Sequence, residues 1–227
     1  MGVDYNLKRS AMKKSQFNEH VPKLIQSQST LDLVDILSPL VNFEKVTAHH
    51  RFFFCADGVN MCYVIRSGLV RVVQGSDEDE IVIGSVPVPN IFGISDLLSS
   101  TTRLFLETMG DSEVATLTTI RVNQLIAETD AWKLLVGHIT KQSANLFNYN
   151  MMMTAPTTYD IVRFQLLALM QEKTDIREST SAVKYILERT RLSRSTVMKM
   201  LAQLRQGDYI ELSEGVLKEI YHLPARY

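Results

Sequence analysis

The chain of 227 residues changes its pattern of apolar and polar positions near Glu128. Before that point, short runs rich in β-branched and aromatic residues alternate with turn residues, as at 56–58, 66–68 and 75–77. Such runs predict the short strands of a meander or jelly-roll sheet, and the apolar residues of Leu31–Leu40 predict a short helix before it. The predicted strands are Arg51–Cys55, Met61–Ile65, Leu69–Val73, Glu80–Gly84, Leu104–Met109 and Val114–Ile120.

Beyond Glu128 the apolar period is helical. A run of positions follows an alternating spacing of four and three residues, which is typical of a helix that packs lengthwise against a partner. These positions are Trp132, Val136, Ile139, Ser143, Leu146, Asn150 and Met153. We expect the partner to be a second copy of the chain, with Asn150 able to fix the register. A core helix within one chain is the alternative.

A domain boundary is expected at Thr154–Pro156, because proline removes a backbone donor and disfavours helix in the residue before it. Beyond it, Tyr159–Met170 predicts an amphipathic helix and Gln171–Thr180 a polar linker. The predicted organisation is a flexible N-terminal arm (1–25), a β-roll sensor-like domain (26–128), a dimerisation helix (129–156) and a C-terminal domain (157–227).

The C-terminal domain has the order helix, turn, helix and hairpin. Arg191-Leu192 forms the turn, Ser193 is an N-cap, and Gly207 is a stop signal for the second helix. The predicted elements are the helices Ala182–Thr190 and Ser193–Gln206 and the strands Tyr209–Leu212 and Val216–Ile220. The predicted fold class is therefore α+β: an N-terminal β-roll or jelly-roll domain, a long dimerisation helix and a C-terminal winged helix-turn-helix.

The second helix of this motif is amphipathic and lies in a basic segment. Six basic residues and a single acid, Glu188, fall between Lys184 and Arg205, although the net charge of the chain is −1. A slim polar helix face in such a segment suits the major groove of double-stranded DNA, and a merely solvated face is the alternative. Val197, Met200, Leu201 and Leu204 form the expected buried face, and Arg194, Ser195, Lys199, Ala202 and Gln206 the outer face.

Composition narrows the classes of protein. No apolar run approaches the length of a membrane span and no secretory signal is evident, so we expect a cytoplasmic protein without a membrane partner. The two cysteines, Cys55 and Cys62, flank a predicted hairpin and could face one another across it. They are either packed apolar side chains or a redox switch. Neither a metal, a cofactor nor an enzyme activity is expected, since His49-His50 lacks further ligands and no catalytic motif is present.

Two parts of the chain resemble the Crp/Fnr regulators. The string Leu192–Val197, followed by Asp208–Ile210, is similar to the DNA-binding signature of that family. The stretch Tyr63–Val72 and the turn Ile91–Gly93 are similar to its β-roll hairpin and its Phe-Gly turn. The C-terminal third, from Tyr185 to the final Leu-Pro-Ala-Arg-Tyr, most resembles the IprA-like branch, named for inhibition of peroxide resistance. This resemblance implies a DNA-binding regulator with a link to oxidative stress.

The resemblance also assigns roles to single residues. It places Arg194, Ser195 and Lys199 at the three base-reading positions of the family, and Ser193 and Thr196 against phosphates. The middle reader of the family is typically Glu, so the Ser at 195 implies an operator that differs from the family consensus.

The sequence of the predicted β-roll domain differs from that of the cyclic-nucleotide-binding members of the family. Those members carry a Glu after the Phe-Gly turn and an Arg-Ser or Arg-Thr pair further on, which hold the ribose and the phosphate. Here Ile94 follows Phe92-Gly93, and Leu104 follows Arg103. We therefore expect no response to cyclic nucleotides. A pocket formed by Phe92, Gly93, Ile94 and Arg103 is either vestigial or serves an unknown effector.

Three functions are compatible with these features. The leading hypothesis is a homodimeric transcription regulator on a two-fold symmetric operator, with RNA polymerase as a further candidate partner. A second is a small-molecule or thiol redox sensor that signals mainly through a protein partner, which the retained Arg194 and Lys199 disfavour. A third, an enzyme built on the β-roll, lacks any catalytic constellation.

Overall fold

A computed structural model describes residues 26–75, 79–94, 104–153 and 157–224 of the chain. The predicted flexible arm (1–25), Arg103, the helix break at Thr154–Pro156 and the C-terminal 225–227 lie outside the described residues. The side chain of Met153 does so too, although its backbone belongs to a helix. Two compact units are distinguished, one within Leu24–Phe147 and one within Asn148–Tyr227.

The first unit contains two antiparallel sheets and the helices beside them. It begins with α1 (Gln28–Leu37), where the Ser27 hydroxyl accepts a hydrogen bond from the backbone N–H of Thr30, and continues into a 3-10 turn at Ser38–Leu40. The strands are β1 (Glu44–Val46), β2 (Arg51–Phe53), β3 (Cys55–Ala56), β4 (Val59–Ser67), β5 (Val70–Gln74), β6 (Ile81–Val86), β7 (Asn90–Phe92), β8 (Leu104–Thr108) and β9 (Ser112–Thr118). Helices α2 (Thr119–Glu128) and α3 (Trp132–Met153) follow.

Strand β4 lies at the centre of the core of this unit, with apolar residues packed against both of its faces. One sheet has the order β1-β9-β4-β3, with β7 also paired to β4, and the other has the order β2-β8-β5-β6. Tyr63 and Ile65 pack with Leu106 of the second sheet, whereas Cys62 and Val64 pack with apolar residues of α1 and α2. The two-residue period of the strand thus directs alternate side chains into two apolar clusters, and the predicted β-roll is confirmed.

The strand predicted at Val114–Ile120 is wrong at its C-terminal end. Strand β9 stops at Thr118, whose hydroxyl accepts a hydrogen bond from the backbone N–H of Arg121 and caps α2. The helical part of the chain therefore starts at Thr119 and not after Glu128. The β-branched residues at this junction favour a strand by propensity, but the cap and the burial of one face of α2 make it a helix.

The second unit is a winged helix-turn-helix that follows the last residues of α3. Its elements are α4 (Thr158–Gln171), α5 (Thr174–Ser179), α6 (Ala182–Leu187), α7 (Arg194–Gln206), β10 (Ile210–Ser213) and β11 (Val216–Ile220). The predicted order of helix, turn, helix and hairpin is confirmed, and β11 has the predicted bounds. The segment Gln171–Thr180 is not wholly irregular, since it contains α5.

His138 joins α3 to α1 inside the first unit. It is 4% exposed, and its Nδ1 lies 3.0 Å from Oγ1 of Thr30. Burial lowers the pKa of His138 to about 4, and a hydrogen bond to the backbone of Ile91 opposes this shift only in part. The imidazole is therefore neutral at neutral pH.

We expect the first unit to lose stability as the pH falls from 6.5 towards 4. In this window the unfolded chain binds a proton at His138 that the folded chain does not, and full protonation costs the fold about 3 kcal/mol. The variant His138→Gln keeps a polar side chain without this proton. Denaturant unfolding followed by the fluorescence of Trp132, the single tryptophan, should show a smaller acid-induced loss in the variant. Equal losses in both proteins would contradict the assignment.

Candidate nucleic-acid interface

Helix α7 begins at a cluster of hydroxyl groups. The Ser193 hydroxyl accepts a hydrogen bond from the backbone N–H of Thr196 at 3.2 Å and lies 2.7 Å from Oγ1 of Thr196. It also lies 3.0 Å from Oγ of Ser195. The predicted N-cap is therefore confirmed, and the positive end of the helix dipole is surrounded by small polar groups that suit an anionic oxygen.

The inner face of α7 fixes the helix on the rest of the second unit. Val197, Leu201 and Leu204 are buried in one apolar cluster with Leu166 of α4 and Ile186 of α6. Met200 is partly buried against the same cluster. The predicted inner face is confirmed, and it leaves the opposite side of α7 to solvent.

The outer face of α7 brings the five predicted DNA-binding residues together. Arg194, Ser195 and Lys199 are exposed, and Ser193 and Thr196 stand at the entrance to the helix. One apolar side chain on this exposed side was missed: Met198, which is 50% exposed. Its signal was in the sequence, because Met198 lies four residues after Arg194 and four before Ala202, which both belong to the predicted outer face.

The basic segment contributes less surface charge than its composition indicates. Arg189 is 6% exposed, and its guanidinium lies 3.5 Å above the centre of the Tyr185 ring and 3.7 Å from the Glu172 carboxylate. Lys184 lies 3.8 Å from the carboxylate of Glu188. These two cations therefore serve the interior and a helix surface. The exposed positive charge next to the hydroxyl cluster is that of Arg194 and Lys199 on α7 and of Arg191 just before the helix.

The wing is a tight hairpin with an acidic surface. Its turn uses two residues with positive φ, Glu214 at 51° and Gly215 at 82°, and the carbonyl of Gly215 accepts a hydrogen bond from the backbone N–H of Ala182. The Tyr221 hydroxyl donates to Glu211 at 2.6 Å, which raises the pKa of Tyr221 to about 12. Acidic residues on the wing disfavour contact with phosphate, which favours α7 and the turn before it as the surface that faces an anion.

An apolar stripe runs along α3. Trp132, Val136 and Ile139 are exposed, and Leu146 is 65% exposed. Ser143 and Asn150 are exposed at the polar positions of the same stripe, while the side chain of Met153 lies outside the described residues. Phe147, also 65% exposed, extends the stripe and was missed because it falls outside the four-three spacing.

Two residues of the expected effector pocket, Gly93 and Ile94, are packed. Ile94 belongs to the apolar cluster that involves α1 and α2, and its side chain offers no acceptor to a ligand. Gly93 has a φ of 83°, and a Cβ there would lie 2.1 Å from the carbonyl oxygen of Met61. A pocket of about 520 Å³ lies elsewhere, along β1, β2, β4 and β9, and neither these two residues nor Phe92 line it.

The two cysteines are not opposite one another. In the β3–β4 hairpin Cys55 pairs with Asn60, while Cys62 pairs with Leu117 of β9. Cys62 is fully buried, and burial raises the pKa of its thiol well above the ordinary value. A buried thiol in an apolar cluster forms the reactive thiolate poorly, so the expected facing pair is corrected and the packed interpretation of Cys62 is favoured.

Two other classes of site are absent from the described residues. No helix in that part of the chain is long and apolar enough to cross a membrane. Within the same ranges, no group of three or more His, Cys, Asp or Glu side chains is arranged to hold a metal ion.

Comparison with known proteins places the chain in a family. Residues 158–225 match the family described as winged helix-turn-helix DNA binding. The inhibitor of hydrogen peroxide resistance of Salmonella typhimurium is 32% identical over 216 residues, covering 86% of this chain and 100% of that protein.

Solved structures show the same fold. The c-di-GMP-responsive global regulator CLP of Xanthomonas campestris has a TM-score of 0.67 at 17% identity, covering 85% of this chain and 100% of that one. A transcriptional regulator of the CRP family from Thermus thermophilus has a TM-score of 0.56 at 18% identity, covering 78% and 91%. Sequence and fold agree, and the chain belongs to the inhibitor of hydrogen peroxide resistance family, with the fold of the Crp/Fnr transcription regulators.

Proposed function

We propose that this protein is a sequence-specific transcription regulator that binds a two-fold symmetric DNA operator as a homodimer. The observation that carries the proposal is the outer face of α7, where Arg194, Ser195 and Lys199 are exposed beside a hydroxyl cluster on a helix held firmly by its inner face. The protein acts by binding and not by catalysis.

Each residue of this face has a role that its chemistry supports. The Arg194 guanidinium can donate two hydrogen bonds to the major-groove edge of guanine, and the Lys199 ammonium reaches a base or a phosphate just over one turn later. The hydroxyls of Ser193 and Thr196 lie at the helix N-terminus, where the free backbone N–H groups favour a phosphate. Ser195 serves either a donor or an acceptor on a base.

Dimerisation and control follow from the first unit and α3. The exposed apolar stripe of α3 supports pairing with a second copy of the chain, which would place two α7 helices on one operator. The packing of Ile94 supports independence from cyclic nucleotides, since the acceptor of the ribose is missing. The name of the Salmonella relative supports a role in the response to peroxide, and RNA polymerase is the candidate protein partner on DNA.

Removing Arg194 is expected to change which bases the protein prefers, and not only how tightly it binds. Arg194→Ala should weaken operator binding by about 1–3 kcal/mol and relax the preference at one base pair in each half-site. Lys199→Ala should do the same if Lys199 reads a base, whereas the loss of a phosphate contact would weaken all sequences alike and lower the salt dependence. The measurement is a titration of the operator and its single-base variants at two salt concentrations.

The control is Lys173→Ala, which removes one exposed positive charge outside α7. It should leave base preference unchanged. The titration is repeated with cyclic AMP, which should not tighten binding. Unchanged affinity and base preference in both α7 variants would contradict the proposal and favour a sensor that acts through a protein partner.

A further inference from the structure

Met198 is an apolar side chain on the face of α7 proposed to read DNA. It is 50% exposed, although the inner face of the same helix is buried in an apolar cluster. Met200, two residues away, packs partly against that cluster, and Met198 is not among the described side chains that do so. About half of the Met198 side chain therefore remains open to solvent beside the buried face of α7.

The surroundings of Met198 are those of the reading surface. It follows Arg194 by four residues and Ser195 by three, and these spacings place neighbours side by side on a helix. Ala202 lies one turn further on and is exposed, so the small side chain there leaves room beside Met198. A long flexible thioether thus lies beside the Arg194 and Ser195 positions.

The base edges in the major groove expose one kind of apolar group that a methionine side chain can contact. Guanine, cytosine and adenine present hydrogen-bonding groups there, whereas thymine also presents its C5 methyl group. Methionine adapts to an irregular apolar surface because it is unbranched and has three rotatable bonds. An apolar side chain set beside Arg194 therefore complements a thymine methyl next to the base that Arg194 reads.

We propose that Met198 contacts the C5 methyl group of a thymine in each half-site and makes the protein prefer thymine there. The inference rests on the proposed function, because it requires α7 to enter the major groove. Burial of one methyl group against a side chain corresponds to about a fourfold change in affinity per half-site.

The test exchanges thymine for deoxyuridine, which removes the methyl group and keeps every hydrogen-bonding group. The operator is first selected from random duplexes with the full-length protein, and each thymine is then replaced symmetrically in both half-sites. Wild type should lose about fourfold per half-site at one position. Met198→Ala should bind the thymine and deoxyuridine duplexes equally, while Gln203→Ala, an exposed change on the same helix, should retain the wild-type discrimination.

The outcomes separate this inference from the proposed function. If wild type binds every deoxyuridine duplex like the parent, or if Met198→Ala keeps the wild-type discrimination, the Met198 contact is wrong. Arg194→Ala, measured in parallel, tests the entry of α7 into the groove. A relaxed base preference in Arg194→Ala together with an unchanged thymine effect in Met198→Ala overturns only the Met198 assignment, whereas selection of no preferred duplex overturns the proposed function itself.

Discussion

Replacing Leu146 by aspartate is expected to leave the chain folded and to convert the proposed dimer into monomers. Leu146 is 65% exposed in the single chain, so the change creates no internal cavity. In a two-fold dimer the same stripe of each copy is buried, and an aspartate there is an unpaired charge removed from water. A monomer engages one half-site alone, so operator affinity should fall by about a hundredfold or more. Sedimentation and operator titration measure the two effects.

The matched control is Asn145→Asp, which adds the same charge to a partly exposed position on the side of α3 opposite the apolar stripe. This variant should remain dimeric and bind DNA like wild type. A second control inserts about five base pairs at the centre of the operator, which places the half-sites on opposite faces of the duplex and should abolish tight binding by the dimer. A Leu146→Asp protein that still sediments as a dimer would contradict the α3 interface.

The wing and α7 were predictable because local signals decide them. Ser193 is the N-cap that starts the helix, and the four apolar residues of the inner face recur at the helical period. At the wing, Glu214-Gly215 supplies the two positive φ values that a tight hairpin needs, so β11 starts where the sequence predicted. Neither element could be missed for lack of knowledge about distant parts of the chain, because the local sequence is enough to predict both.

Other features depend on long-range packing and were therefore missed or misplaced. Helix α2 starts within a β-branched run, and its identity is decided by the burial of Val122, Leu125 and Ile126 against the sheet. The separation of Cys55 from Cys62 depends on the register between β3 and β4, and a shift of one residue in register exchanges the two faces of a strand. Sequence spacing alone does not determine either outcome.

The exposed placement of Arg194, Ser195 and Lys199 on α7 was predictable from the sequence, whereas the distribution of charge around them was not. A count of basic residues treats Arg189 like Arg194, and nothing in the local sequence indicates that Arg189 is buried. The structure places the Arg189 guanidinium on the Tyr185 ring, and the Tyr185 hydroxyl donates to Glu172 at 2.9 Å. Burial is the main reason that the pKa of Tyr185 is raised. Arg189 thereby connects the end of α6 to the end of α4.

Truncating Arg189 should destabilise the second unit strongly and leave the first unit unchanged. Arg189→Ala removes the cation from beside the largely buried Glu172 carboxylate and also removes the stacking on Tyr185, and the loss of one partner from a buried pair costs about 3 kcal/mol or more. Glu172→Gln in the same chain should restore part of this stability, because it removes the uncompensated charge. Urea unfolding of the full-length protein by circular dichroism should show an earlier transition, while the fluorescence transition of Trp132 stays in place.

Lys184→Ala is the matched control for this loss of positive charge. Lys184 is exposed and pairs with Glu188 across one helical turn, and such surface pairs contribute roughly 0.3–0.5 kcal/mol. If Arg189→Ala is no more destabilising than Lys184→Ala, the buried cluster does not hold the unit together. If Arg189→Ala instead remains folded at low temperature but changes base preference in the way that Arg194→Ala does, Arg189 belongs to the reading surface and its structural role is wrong. We expect neither result, because a guanidinium that is 6% exposed cannot reach DNA without opening the junction between α4 and α6.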